Sequence, residues 1–155
     1  MNWQEVCEHP NLRNLPFKIE LTETGQILMS PVKVSHSAYQ GEMIRTFPKT
    51  GKVLAECAIA TRLGTKVADV AWVSQQRFKR LKHETECSIA PEICIEVCSA
   101  GNTKAEIEQT RTLYFEQGAL EVWVCDQMGE IQFYNINGIL EKSRLFPKFP
   151  QRIEL

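Results

Sequence analysis

Two short stretches, ADVAW (Ala68 to Trp72) and IAPEICIEV (Ile89 to Val97), each set an acidic residue inside an apolar, β-branched run: Asp69 in the first and Glu96 in the second. A carboxylate in such a run loses hydration and must be offset by a hydrogen-bond donor, a cation or a metal, unless its side chain simply points outward from a strand. Two acids carried at strand positions in neighbouring extended segments can converge although they are far apart in sequence. Oxygen ligands of this kind suit magnesium or manganese, and a divalent ion so held can polarise a phosphate and lower the pKa of a bound water. Phosphodiester hydrolysis is the chemistry this permits. A carboxylate pair also serves glycoside hydrolysis, but no aromatic-lined sugar cleft is recognisable and spacing alone does not give the carboxyl separation. Glu56, alternating with Leu54 and Ala58 in VLAECAIA, is open to three readings: a third acid of the site, an edge-strand charge, or the partner of a lysine.

The elements that must position these acids are legible from periodicity and turn residues. The segment up to Pro16 reads as a short helix or an irregular arm. FKIELTETGQILMSP reads as a hairpin turning around Gly25, with Glu20 in its first strand. HSAYQGEMIRTF predicts a helix capped by Ser35, with Ala38, Tyr39, Met43 and Phe47 broadly on one side. GKVLAECAIATRLG and TKVADVAWVS supply two extended runs joined at Gly64, and their small and β-branched residues favour buried sheet. A polar connection from Gln75 to Ser88 carries the local basic run Arg77, Lys79, Arg80, Lys82 and His83, readable as solvated linkage or as contact with nucleic-acid phosphates. Thr103 and Glu106 form a capping box for a helix ending at Gly118, with Ile107, Thr110, Leu113 and Tyr114 turned inward. EVWVCD and EIQFYNI read as strands, Trp72 and Trp123 as core residues, and LFPKFP as a turn-rich tail that does not suggest a second domain.

Composition narrows the classes of function. A chain of 155 residues with a hydrophobic share of 43% suits one domain, 1–155, burying roughly 70% of the surface its unfolded form exposes. Lys and Arg number 18 against 19 Asp and Glu, so a net charge of -1 gives no global attraction to nucleic acid or an acidic membrane, although a local basic surface stays open. Six cysteines scattered through apolar runs, behind an amino terminus unlike a signal peptide, predict reduced thiols in the cytoplasm. Cys94 and Cys98 have ligand spacing, but no second pair or nearby histidine completes a zinc set. No apolar run approaches the roughly 20 residues of a membrane helix, so a soluble protein is expected. The chain has no Walker A loop, dinucleotide glycine pattern or serine-nucleophile elbow, which argues against a nucleotide cofactor and against acyl transfer.

Taken in order, KIELTETGQILMSP, the helix beginning near His36, GTKVADVAWVS, PEICIEVCSAGNT and LYFEQGALEVWVCD resemble a family of small bacterial restriction-endonuclease-like proteins within the wider PD-(D/E)xK nuclease fold. The resemblance implies an α/β or α+β architecture, with an N-terminal hairpin and a mixed central sheet flanked by helices. It also implies a Mg2+ or Mn2+ site in which Asp69 coordinates or bridges metal and Glu96 adds a second carboxylate. Glu20 matches the family's amino-terminal acid, able to orient water or complete an outer shell. His36 and Gln40 match polar positions of the first core helix. The place two residues after Glu96, where the wider fold commonly carries lysine, is Cys98, as expected for this family, whose lysine comes from the following helix. Here that helix position is Thr110, which cannot supply a positive charge. Arg111 is adjacent but rotated roughly 100° around the helix, and as a permanent cation it cannot serve as a base. Lys104 is nearly two turns from Thr110. The expected activity is metal-dependent DNA endonucleolysis, with a homodimer serving to cut both strands. The alternative is an inactive relative that binds nucleic acid or protein.

Overall fold

The computed structural model describes residues 1–155. Helix α1 (Trp3–Glu8) is closed by an Asn2–Glu5 capping box, and a single 3-10 turn (Pro10–Leu12) follows. Strands β1 (Phe17–Thr22) and β2 (Ile27–Pro31) form the expected hairpin. Helix α2 (Val34–Thr46) leads to β3 (Lys52–Thr61) and β4 (Gly64–Val73), then α3 (Gln75–Leu81) and β5 (Ile93–Val97). Helix α4 (Lys104–Glu116) precedes β6 (Glu121–Cys125), β7 (Ile131–Asn135) and β8 (Gly138–Leu140). No helix is long and apolar enough to cross a membrane.

All eight strands join one mixed sheet, mostly antiparallel and flanked by helices. Its parallel pair is β5 with β6, the geometry a crossover helix demands, and α4 is that crossover. Strand β3 follows one edge of β4 along its whole length. The opposite edge is shared: β1 pairs with Gly64 and Thr65, whereas β5 pairs with Val70 to Trp72. The sheet therefore forks along β4 between Thr65 and Val70, and Asp69 lies in the fork.

Alternation along the strands sorts side chains into two apolar clusters. Ile93, Ile95 and Val97 of β5 join Met43 of α2, Phe47 at its C-cap, Trp123, Phe133 and the tail residues Phe149 and Ile153. Cys94 joins the other cluster, with Leu81, Tyr114 and Val122. Trp123 stacks on Phe47 with ring centroids 5.4 Å apart and planes 9° from parallel. The turn-rich tail is thus part of the core, because its two phenylalanines and Ile153 reach aromatic surface that the strands leave open.

Two local expectations differ from the structure. Helix α2 starts at Val34, with Lys33 at its N-cap and no side-chain cap, so Ser35 is already helical. The backbone bond from Ser37 N–H to Lys33 O already closes a first turn ahead of the one Ser35 would cap. The basic connection is itself partly helical, as α3, because the Ser74 hydroxyl accepts from Arg77 N–H and caps it.

Candidate active site

The fork gathers side chains from five elements. Asp69, 2% exposed, projects from β4, and its Oδ2 accepts the Val97 N–H of β5 at 2.8 Å. One carboxylate thereby bridges the strands where their ladder stops. Glu96, the neighbour of Val97, receives the Tyr114 hydroxyl of α4 on Oε1 at 2.6 Å. On the β1 side, Glu20 Oε2 accepts Val67 N–H at 2.8 Å, satisfying a backbone donor that the fork leaves without a strand partner. Lys18 shares that face of β1 by the two-residue period, and its Nζ lies 3.1 Å from Asp69 Oδ1 and 3.5 Å from Glu96 Oε2.

Helix α2 supplies the remaining wall. His36 and Gln40, one turn apart, point the same way. His36 Nε2 is 3.4 Å from Asp69 Oδ2, and Gln40 Nε2 donates to the Asp69 backbone carbonyl at 2.7 Å. The β3–β4 ladder skips the pair Glu56–Asp69, and Glu56 adopts φ +54°, a left-handed conformation costing a non-glycine residue about 1–2 kcal/mol. The backbone is thus distorted directly opposite the most buried acid. Glu56 itself is exposed and stands on the rim of the cleft.

The cleft has a volume of about 420 Å³, and Lys18, Glu20, His36, Asp69, Glu96 and Thr110 are among its walls. A second cavity of about 560 Å³ shares His36, Ser99, Asn102 and Glu106 with it. Burial works against charge on Asp69, but the His36 hydrogen bond, the Lys18 ammonium and the Val97 N–H outweigh it and hold its carboxyl below the usual range. Burial pushes Glu96 up, and the Asp69 and Glu20 charges add to that rise against the opposing pull of Lys18, to about 8. Lys18 is held above its ordinary range because Glu96 and Asp69 overcome its own desolvation.

Two carboxylates on adjacent strands thus converge on one cation position in the cleft, which the Lys18 ammonium fills. No group of three or more His, Cys, Asp and Glu side chains is placed to hold an ion. A pair of carboxylates completed by waters and substrate phosphate nevertheless fits the way magnesium is commonly bound, and the hard oxygen donors match its preference.

The family model described as "Uma2: Putative restriction endonuclease" matches residues 3–147. The chain belongs to this family. A crystal structure titled as a "putative nuclease belonging to DUF820" from Anabaena variabilis ATCC 29413 is similar at TM-score 0.68 and 18% identity, covering 87% of this chain and 79% of that one. At that identity the likeness shows the fold, which is nuclease-like. No curated protein matches.

Against the family pattern, the fork brings together Glu20, His36, Gln40, Asp69 and Glu96, with Thr110 facing the same cleft. Arg111 goes elsewhere: its guanidinium carbon lies 3.8 Å from the centroid of the Tyr134 ring on β7. Lys104 is exposed at the first turn of α4. Lys79, Arg80 and Lys82 are exposed on and just after α3.

Arg77 is occupied by the fold. Its Nη1 donates to the carbonyls of Ala90 at 2.7 Å and Gly118 at 3.2 Å, and its Nε is 3.4 Å from Glu92. Arg77→Ala should therefore lower stability by about 2–3 kcal/mol through the unpaired Glu92 and two carbonyls. Chemical denaturation measures that loss, and DNA affinity of the folded variant should match wild type.

Sequence reasoning gave Lys18 no part in the site and placed Tyr114 only on the inward side of its helix. Both had a signal: Lys18 stands two residues before Glu20 on one strand, and Tyr114 stands one helical turn after Thr110.

Proposed function

We propose that the chain is a Mg2+- or Mn2+-dependent DNA endonuclease acting at the fork. The observation that carries this reading is the meeting of Asp69 and Glu96 at one cation position, within the cleft of a chain of this family. Asp69 and Glu96 would hold the ion, which when bound supplies polarisation of a phosphate oxygen and acidification of a water.

The chain's own groups do the positioning. Val97 N–H and His36 fix the Asp69 carboxylate, and the Tyr114 hydroxyl fixes Glu96, so neither acid must reorganise when a phosphate arrives. Glu20, anchored through Oε2 to Val67 N–H, keeps its other oxygen for orienting water at the cleft. Lys66, also on the cleft wall, can meet a neighbouring phosphate. The adjoining cavity beyond His36 suits a substrate longer than one nucleotide. A homodimer would place two such sites on opposite strands of a duplex.

Purified protein incubated with mixed DNA substrates should cleave in Mg2+ or Mn2+ and not in chelator. Glu96→Gln should reduce the rate by about a hundredfold or more, the scale on which removing one electrostatic stabiliser acts. A folded, metal-binding wild type that leaves every substrate intact would overturn the reading.

A further inference from the structure

We infer that Lys18, on the N-terminal hairpin, is the catalytic ammonium of this site. The inference rests on the nuclease reading above. In-line attack on a phosphodiester spreads negative charge over the phosphoryl oxygens, and a cation fixed beside them lowers that barrier. The sequence leads one to look for such a cation on α4, but Thr110 is neutral, Arg111 lies against Tyr134 and Lys104 is exposed at the helix start. The cleft receives its cation from the opposite wall.

Three observations favour Lys18. Its Nζ is within 3.5 Å of both carboxylates and fills the position they share, so an ion held by Asp69 and Glu96 moves it aside and leaves it next to the bound phosphate. Its side chain is only 13% exposed, so its charge acts with little solvent screening. Its strand is tied to β4 next to the site, through Leu21 with Thr65 and through Glu20 with Val67, which limits how far the ammonium can drift.

In the step assigned here, a water oxygen forms a bond to phosphorus while one bond from phosphorus to an ester oxygen breaks. The water gives up a proton to solvent, and the departing oxygen takes one from solvent. Lys18 keeps all its protons throughout and contributes charge and orientation.

The test compares wild type, Asp69→Asn, Lys18→Met and Lys18→Met/Thr110→Lys in DNA cleavage, alongside calorimetric titration of each with Mn2+. Lys18→Met should fold, bind Mn2+ at least as tightly as wild type, and cleave about a hundredfold or more slowly. The added lysine at position 110 should recover part of that loss from the other wall. If Lys18→Met instead binds Mn2+ more tightly and cleaves at the wild-type rate, Lys18 is only a counter-ion to the acids and the inference fails while the nuclease reading stands. If wild type shows no Asp69-dependent cleavage, both fail together. Lys18→Gln, which keeps a hydrogen-bond donor without the charge, replaces Lys18→Met should the latter not fold, and it must show the same loss.

Discussion

Asp69→Asn should lower DNA cleavage by about a hundredfold or more and weaken Mn2+ binding, with the fold intact. The substitution preserves shape almost completely. An asparagine oxygen can still accept Val97 N–H, and the bond from Gln40 goes to the backbone carbonyl, which the change does not touch. What disappears is the negative charge that faces Lys18 at 3.1 Å and shares its cation position with Glu96. The asparagine amide turned toward Lys18 sets donor against donor, so the ammonium shifts to Glu96. Any stability change should stay within about 1–2 kcal/mol, or several degrees in melting temperature for a chain of this size. Cleavage kinetics, a thermal melt and a metal titration on one preparation separate the outcomes. Unchanged metal-dependent cleavage would reject the assigned mechanism, whatever the melt shows.

Acids inside apolar strands were the sequence signal for this site, and the structure shows how far that signal reaches. Asp69 and Glu96 do converge, but Glu92 and Glu121 sit in equally apolar surroundings and serve the fold. Glu92 accepts Ser74 N–H at 3.2 Å and pairs with Arg77, and Glu121 binds the C-terminal tail. Strand periodicity gives the face a carboxylate takes; it does not say whether donors of the fold already surround it. The fork was equally invisible, because it depends on which strand occupies which part of the β4 edge.

Local signals fared according to how local their physics is. The Thr103–Glu106 capping box forms as read, since both partners lie within one turn. The α2 start was misplaced because backbone hydrogen bonding begins at Lys33 with no side-chain cap, so the preference for serine at a cap did not decide it. Arg77 looked like a surface cation within a basic run, and only its long-range partners Glu92 and Gly118 reveal a structural role. Thr110 does line the cleft from α4, as its inward helical spacing predicts, but the cation that reaches the two acids from β1 is a tertiary fact.

The largest loss of stability should come from Glu121→Ala, well away from the cleft. The Glu121 carboxylate is 2% exposed and accepts four hydrogen bonds. Trp123 Nε1 and Ser143 Oγ each donate to Oε2 at 2.7 Å, while the backbone N–H groups of Arg144 and Leu145 donate to Oε1 at 2.7 and 3.1 Å. This clamp holds the turn that delivers Phe146 and Phe149 onto Phe47 and Trp123. Alanine strands four donors, and a buried unsatisfied donor costs about 1–3 kcal/mol, part of which water recovers if the tail loosens. A net loss of about 3–5 kcal/mol is expected, a large fraction of the ~5–15 kcal/mol that stabilises a typical domain. That corresponds to a fall of about 10 °C or more in melting temperature. Glutamine should lose less than alanine, since one carbonyl oxygen still meets two of the donors, but its amide faces the other two. Because Glu121 touches no wall of the cleft, cleavage per folded molecule measured well below the melt should equal wild type. A melt within two or three degrees of wild type would mean that the tail is held by its aromatic contacts alone.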